Sequence, residues 1–272
     1  MSAANQVTEQ QRQRLLTGHS ALSHREMVRY WLLSEEDIKR INGRRREHNR
    51  LGYAVQLCLL RYPGWPLKTD EPPPPNLLKY VGQQFGADTV EFADYAKRDN
   101  TRQEHQLLII KEYRFRQYGP AHSPLLRMHL ESEALSTDSA FTLVESAMEW
   151  LRERRVILPA LATLESVVRS VRSKVERDIY WRLFNRLEEN HRTELNKLLV
   201  LGPSRGSLLG WLRHVPRSCS AAGILDLMQR LNWVRGSGIP GELAEGIAQN
   251  RIAQLAARGG RPSVSHFRRS PP

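Results

Sequence analysis

Apolar residues recur at intervals of three and four along almost the whole sequence, and this spacing constrains the fold more than any other feature. The spacing places apolar side chains on one face of a helix, whereas a half-buried strand needs strict alternation. We find no run of alternating β-branched residues closed by a hairpin turn. The sequence therefore predicts an all-α chain of two to three small helical domains in tandem, joined by proline-rich connectors.

The first predicted domain covers residues 1–119 and contains the clearest helix boundaries. Ser34 is the predicted N-cap of a short helix, and Asn42-Gly43 is predicted to end it. A second helix is predicted from about Arg44 to Arg61, before Pro63-Gly64. Its predicted buried stripe consists of Leu51, Ala54, Val55, Cys58 and Tyr62.

Prolines and capping patterns organise the rest of this first domain. The four consecutive prolines at 72–75 predict a stiff polyproline connector. Helices are predicted near Leu77–Phe85 and near Val90–Lys97. The pattern Thr101-Arg-Gln-Glu104 is typical of a capping box, so a helix is predicted from Thr101 to about Tyr118. Glycine and proline from Gly119 onward predict a linker over residues 120–137.

The second predicted domain, residues 138–201, has the skeleton of a helix-turn-helix unit. Asp138 is the predicted cap of its first helix, and residues 154–159 form the predicted turn. Thr163 is the predicted cap of the second helix, and two helices around a short turn are typical of helix-turn-helix proteins. The predicted buried stripe of the second helix consists of Leu164, Val168, Val171, Val175, Ile179 and Leu183.

Residues 202–258 are predicted to form a helical connector or a third small domain. Glycine and proline repeatedly interrupt this stretch, and helices are predicted near 208–213, 221–234 and 242–257. Residues 259–272 are predicted to be a disordered, truncated tail.

The charge of the chain favours a polyanionic partner. Lysine and arginine number 41 against 29 acidic residues, which gives a formal net charge of +12. Such a surplus creates a positive field that attracts nucleic acid first and acidic lipid second. The N-terminal residues lack an apolar signal core, and no stretch approaches the length of a membrane span. We therefore expect no membrane partner and a cytoplasmic location.

Two groups of basic residues are the predicted contacts to DNA. The first lies at the start of the predicted helix over 44–61, and the second lies on the polar side of the predicted recognition helix beside Ser166, Ser170 and Ser173. Guanidinium groups pair with phosphates, while histidine and asparagine can read base edges. For both groups the alternative is a solvated surface that only confers solubility. The candidate residues are Arg44, Arg45, Arg46, His48, Asn49 and Arg50 in the first group, and Arg169, Arg172, Lys174 and Arg177 in the second.

The sequence gives little support for an enzyme, a metal or a cofactor. Cys58 and Cys219 are isolated, so neither a disulfide framework nor a zinc site is expected. The pattern from Gly236 to Gly241 matches a dinucleotide fingerprint, but it follows a helix instead of a strand, so we interpret it as a turn. The six tryptophans are predicted to be core residues instead of stacking platforms for bases.

Four blocks of sequence resemble, in order, the opening region of the Tn-three family of replicative transposases. The first block is the most specific. The blocks are residues 41–58 (INGRRREHNRLGYAVQLC) with 61–64 (RYPG), residues 95–105 (YAKRDNTRQEH), residues 150–159 (WLRERRVILP) with 163–165 (TLE), and residues 250–256 (NRIAQLA).

This resemblance implies sequence-specific binding of duplex DNA, at the terminal inverted repeats of a transposon, by tandem helical domains. It adds Arg102 to the candidate DNA contacts and implies a location at the bacterial nucleoid. Members of the family carry a metal-dependent Asp-Asp-Glu catalytic domain downstream, which this sequence does not reach, so we expect no catalysis by this chain. Self-association or association with a full-length transposase is implied as well.

Two other functions stay open at this point. One is a non-functional or regulatory remnant of a transposase that acts through protein–protein interaction. The other is a nuclease, which would have to use a divalent metal.

Overall fold

The computed structural model describes residues 6–17, 22–67, 72–96, 99–202, 206–214 and 220–259. Within these ranges the chain forms fourteen α-helices and four strands of two residues each, which confirms the all-α fold class. The chain divides into two compact units, one drawn from residues 1–131 and 139–171 and the other from residues 132–138 and 172–272. Over the described ranges, no helix is both long enough and apolar enough to cross a membrane.

Among the described residues, nine helices lie wholly or mainly in the first unit. They are α1 Glu9–Thr17, α2 His24–Trp31, α3 Glu35–Asn42, α4 Glu47–Arg61, α5 Pro75–Phe85, α6 Phe92–Ala96, α7 Asp99–Glu112, α8 Ser123–Ala134 and α9 Ala140–Glu153. The last three residues of α8 belong to the second unit. Helix α10, Leu161–Asn185, begins in the first unit and continues into the second. The second unit then contains α11 Glu189–Lys197, α12 Leu208–Arg213, α13 Ala221–Gly236 and α14 Gln249–Gly259.

The remaining regular elements are short. Strand β1, Arg116–Gln117, pairs in parallel with β2, Val156–Ile157. Strand β3, Leu201–Gly202, pairs antiparallel with β4, Gly206–Ser207. Turns of 3-10 helix cover Thr89–Glu91 and Gly241–Ala244.

Helix α4 forms the centre of the first unit. Residues 51–60 are all buried, because α2, α3, α5, α6 and α7 pack around this helix. The prediction of a single buried stripe was therefore too narrow. The predicted start at Arg44 was also wrong: Arg46 has φ of 68°, a left-handed conformation outside the helical range, and the helix begins at Glu47.

A buried polar network joins α4 to α6 and α7. The Gln56 side-chain amide donates to the Tyr95 hydroxyl at 2.5 Å and to the Arg102 carbonyl at 2.9 Å. The Tyr95 hydroxyl lies 3.2 Å from His105 Nδ1, and burial lowers the pKa of His105 to about 4, so this imidazole is neutral at pH 7. At Gly52, an added Cβ would lie 2.3 Å from atoms of the Tyr95 ring, so only glycine allows this close approach.

Helix α3 begins as predicted. The Ser34 side chain accepts a hydrogen bond from the Asp37 amide, and the Asp37 carboxylate accepts one from the Ser34 amide at 2.8 Å. Asp37 also accepts from the Arg61 guanidinium at 2.8 and 3.0 Å and from the Tyr113 hydroxyl at 2.8 Å. Although burial opposes ionisation, these donors hold the pKa of Asp37 below its usual value.

Several predicted boundaries in the first unit were wrong. Helix α7 begins at Asp99 and ends at Glu112; Arg114 has φ of 57°, and residues 116–117 instead pair with β2. The predicted helix over 90–97 is a 3-10 turn followed by α6, and Lys97 lies outside the described residues. Pro75 opens α5, since the first position of a helix needs no amide donor, so the proline connector is shorter than predicted.

The region of the predicted helix-turn-helix is built differently in detail. Ser139, not Asp138, caps α9, because Asp138 is engaged in ion pairs. Strand β2 lies between α9 and α10, and α10 begins at Leu161, so Thr163 is inside the helix. Helix α8 lies within the predicted linker. The buried positions at 164, 168, 171, 175 and 179 are confirmed, whereas Leu183 is half-buried.

The C-terminal part agrees in two of its three helices. Helices α12 and α13 are where they were predicted, whereas the last helix begins at Gln249 after a separate 3-10 turn. Helix α11 was not predicted. Cys219 and residues 260–272 of the predicted tail lie outside the described residues. The division into separately folding domains over 1–119, 138–201 and 202–258 stays a prediction, because compactness alone does not measure independent folding.

Candidate nucleic-acid interface

The first basic group lies in the turn between α3 and α4. Helix α3 ends where the Gly43 amide donates to the Lys39 carbonyl at 3.2 Å, and the Arg44 amide donates to the Ile41 carbonyl at 3.0 Å. No side-chain hydrogen bond caps α4 at Arg46. Three consecutive arginines therefore occupy a turn directly before a helix N-terminus, where the helix dipole itself attracts anions.

Arg44 is used inside the first unit. Its guanidinium donates to the Glu112 carboxylate at 3.1 Å and lies 4.6 Å from the centre of the Tyr53 ring. The Tyr53 hydroxyl also donates to Glu112, at 2.5 Å. Because its charge is already balanced by Glu112, Arg44 has a structural role that the sequence did not reveal.

The other residues of this group differ in exposure. Arg45 and Arg46 are exposed, and neither forms an ion pair with another described residue. Asn49 and Arg50 are half-buried, and Arg50 Nε donates to the Arg44 carbonyl at 3.0 Å. Arg45 and Arg46 are therefore the members of this group best placed to meet a phosphate.

His48 faces carboxylates. Its Nδ1 lies 3.8 Å from a Glu91 carboxylate oxygen, and the ligand atoms of His48, Glu91 and Asp94 all lie within 4.8 Å of one another. Among the described residues, these three side chains form the one group with the composition of a divalent-metal site. The sequence predicted no metal ligands. Exposed carboxylates commonly cluster without an ion, and here they oppose the approach of a phosphate to His48.

Arg102 is buried. It is 7% exposed in α7, beside the polar network of Gln56. Such a side chain offers little surface to DNA, and we therefore leave Arg102 out of the interface proposed below.

The first half of α10 presents a polar outer face to solvent. Ser166, Arg169 and Ser170 are exposed, opposite the buried Leu164 and Val168. The Ser170 hydroxyl accepts a hydrogen bond from Arg127 at 3.1 Å. Arg169 is thus the exposed predicted contact in this half.

The second half of α10, in the second unit, contains two exposed cations and one half-buried arginine. Lys174 and Arg177 are exposed, opposite the buried Val175 and Ile179. Arg172 is half-buried, and desolvation lowers the pKa of its guanidinium. Lys174 and Arg177 are therefore the exposed predicted contacts in this half, whereas Arg172 interacts electrostatically with Asp138 and Glu176 of the ion cluster described next.

A partly buried ion cluster joins α14 to α10, and sequence analysis did not predict it. The Asp138 carboxylate pairs with Arg258 and, at 3.2 Å, with Arg251, which is only 1% exposed. Arg258 also pairs with Glu176 at 2.7 Å. Because these partners are more than eighty residues apart in sequence, their signs and spacing carried no local pattern.

The tryptophans are not all core residues. Trp31 and Trp150 are buried, as predicted, and Trp65, Trp211 and Trp233 are half-buried. Trp181 on α10 is 69% exposed, which contradicts the prediction for this residue.

Helix α13 has an exposed apolar face in the second unit. Its members are about half exposed and recur at intervals of three and four, as on the contact face of a helix that packs against a partner. They are Ile224, Leu227, Met228, Leu231 and Val234.

Comparison with known proteins defines the family. A family model described as "Domain of unknown function (DUF4158)" matches residues 7–171, which is more than half of the chain. The chain belongs to the DUF4158 family. The matched range includes α4, the first basic group and the first half of α10.

Three relatives of the chain are named as transposases. The transposase for transposon Tn501 of Pseudomonas aeruginosa is 34% identical over 239 residues, which is 88% of this chain and 24% of the transposase. The transposase for transposon Tn1546 of Enterococcus faecium is 31% identical over 242 residues, and that for Tn3926 of Escherichia coli is 33% identical over 236 residues. The resemblance to the N-terminal region of the Tn-three family is confirmed. The chain spans about a quarter of the length of these relatives.

Proposed function

We propose that this chain binds duplex DNA at the terminal inverted repeats of a transposon, as the recognition part of a transposase. A role in transposition follows from the relatives, which are transposases of three transposons. DNA recognition is our inference from the charge and the surface of this chain. The expected place of action is the nucleoid in a bacterial cytoplasm.

The outer face of the second half of α10 is the observation that carries this proposal. Lys174 and Arg177 are exposed there, while Val175 and Ile179 on the opposite side are buried. A helix that is fixed by one face and carries cations on the other can lie in a groove without rearrangement. The first unit contributes its own exposed cations, Arg45, Arg46 and Arg169.

We propose no catalytic step for this part of the protein. The chain spans about a quarter of the length of the transposases it matches, and we expect the catalytic residues of such a protein in the other three quarters. DNA binding that persists in EDTA would support recognition without catalysis, whereas metal-dependent cleavage of the bound duplex would contradict it.

Binding to the inverted-repeat duplex of the element, measured against a scrambled duplex across a salt series, tests the proposal. A preference for the inverted repeat that persists at physiological salt is expected from sequence-specific contacts. Equal and steeply salt-dependent binding to both duplexes would show that the net charge of +12 acts alone, and would refute the proposal.

Arg177→Ala sharpens this test. If Arg177 reads a base, affinity for the inverted repeat is expected to fall by about 1–3 kcal/mol, and less if it meets a phosphate. Arg235→Ala is the matched control, because Arg235 is an exposed helical arginine of the same unit on α13. Equal losses for the two variants would assign the effect to net charge and remove α10 from the interface.

Helix α13 supports a second candidate function, association with a full-length transposase. Its exposed apolar face would be covered by protein more readily than by DNA. About three quarters of the Tn501 transposase lies outside the matched region and could supply that protein surface. The test is co-purification with the intact transposase of the same element. Leu227→Glu in this chain should abolish co-purification with the unchanged full-length transposase. Retention of the complex would exclude α13 as the contact.

A further inference from the structure

The exposed tryptophan of α10 shares a face with the two exposed cations. Lys174, Arg177 and Trp181 are separated by three and four residues, which places them in one row along the helix. The row lies opposite Val175 and Ile179, which are 3% and 2% exposed. Trp181 therefore faces solvent because of the register of the whole helix, and its exposure does not come from a frayed end.

Trp181 differs from the aromatic residues beside it because its ring is uncovered. Phe184 carries the Arg192 guanidinium 4.0 Å from its ring centre, and the Tyr180 hydroxyl donates to Glu176 at 3.1 Å. No ring or guanidinium among the described residues stacks on Trp181, which is 69% exposed. A large flat apolar surface left in water is costly, so a ligand with its own flat surface would be stabilised there.

We propose that Lys174, Arg177 and Trp181 form a basic–aromatic strip that binds an unpaired base of DNA. The indole would stack on the base, and the two cations would contact the phosphates that flank it. Four residues of helix span about 6 Å along the axis, so Arg177 lies close enough to serve the same nucleotide. This inference rests on the proposed function and deepens it, because it names a DNA structure that this helix prefers.

The chemistry of the strip favours an unpaired base over the two other partners. In an intact duplex both faces of every base are covered by stacking, so an indole ring would find only base edges. An apolar protein partner is favoured instead by α13, whose exposed stripe from Ile224 to Val234 is apolar. Asp178 is also exposed on α10 beside the strip. Two cations therefore stand against one anion on this face, so its net charge is positive.

Fluorescence anisotropy with two DNAs tests the strip: the blunt inverted-repeat duplex, and the same duplex with a single-stranded oligo(dT) extension. We expect the wild-type chain to bind the extended DNA at least about fivefold more tightly, as stacking of one base allows. Trp181→Ala should remove this preference and leave affinity for the blunt duplex unchanged. Trp181→Phe, which keeps an aromatic ring, should restore part of it.

Ile224→Ser is the matched control, because it removes a 55% exposed apolar side chain from the same unit. The inference is overturned if Trp181→Ala keeps the preference for the extended DNA, or if Ile224→Ser loses it equally. The two proposals can fail separately. If the chain bound inverted-repeat and scrambled duplexes equally, the proposed function would be refuted. If binding of the single-stranded extension still depended on Trp181, the strip would be supported.

Discussion

Helix α4 and the second half of α10 use their surfaces in opposite ways. In α4 ten consecutive residues, 51–60, are buried, whereas α10 buries a single stripe that includes Val175 and Ile179. The arginines beside α4 donate inward, Arg44 to Glu112 and Arg61 to Asp37. Lys174 and Arg177 on α10 are exposed.

This difference teaches that arginine content alone does not locate an interface. Near α4 the guanidinium groups balance carboxylates and cover aromatic rings, so they stabilise the fold. On α10 the apolar side chains of the opposite face form the packing contacts, so substitutions on the outer face do not disturb that packing. Substitutions of Arg44 and Arg61 should therefore change folding, and those on the outer face of α10 should change binding.

The largest effect expected in the helices that surround α4 is a dependence of stability on pH, caused by His105. His105 has a folded-state pKa of about 4, below the unfolded value of about 6.5, so the unfolded chain binds a proton first as the pH falls. The stabilisation is complete above about pH 6.5 and is lost as the pH falls toward 4, and it amounts to about 3 kcal/mol.

Urea unfolding followed at a series of pH values between 4 and 7 measures this contribution. His105→Gln removes the titrating group, so the variant should lose the part of the pH slope that corresponds to one proton. Carboxylates titrate in both proteins and cancel in the comparison. Identical slopes for the two proteins would show that His105 is not held neutral in the folded chain.

Gly52→Ala should reduce stability by about 2 kcal/mol, because overpacking of a filled core forces neighbours to shift. The new Cβ would lie 2.3 Å from the Tyr95 ring. Gly236→Ala is the control, because no heavy atom lies within 4 Å of the added Cβ there. Thermal unfolding compares the two variants, and equal melting temperatures would mean that α6 does not close on α4 as described.

Much of the fold followed from local sequence signals. Ser34 and Asn42-Gly43 bounded α3 correctly, and the apolar spacing identified the buried face of α10 at 164, 168, 171, 175 and 179. Signals of this kind act within a few residues, so one sequence contains them. The complete burial of α4 was not predictable in the same way, because it depends on how many other helices surround it.

The candidate site was predictable in part, for a related reason. The sequence located two basic groups, but whether an arginine faces out depends on distant partners. Glu112 lies 68 residues from Arg44, and Asp138 lies 120 residues from Arg258. Trp181 was assigned to the core because apolar residues adjoin it in the sequence, although the helical spacing of α10 already placed it away from the buried stripe.

The smallest expected effect separates two neighbouring arginines of the first basic group. Arg44→Ala should lower stability by about 1 kcal/mol, because it removes a charge-assisted hydrogen bond of a half-buried pair. Arg45→Ala should leave stability unchanged and weaken DNA binding, because Arg45 is exposed. Both variants lose one positive charge, so thermal unfolding and duplex affinity measured on the pair separate the two roles. If Arg45→Ala lowered stability while Arg44→Ala weakened binding alone, the inward role of Arg44 beside Glu112 would be refuted.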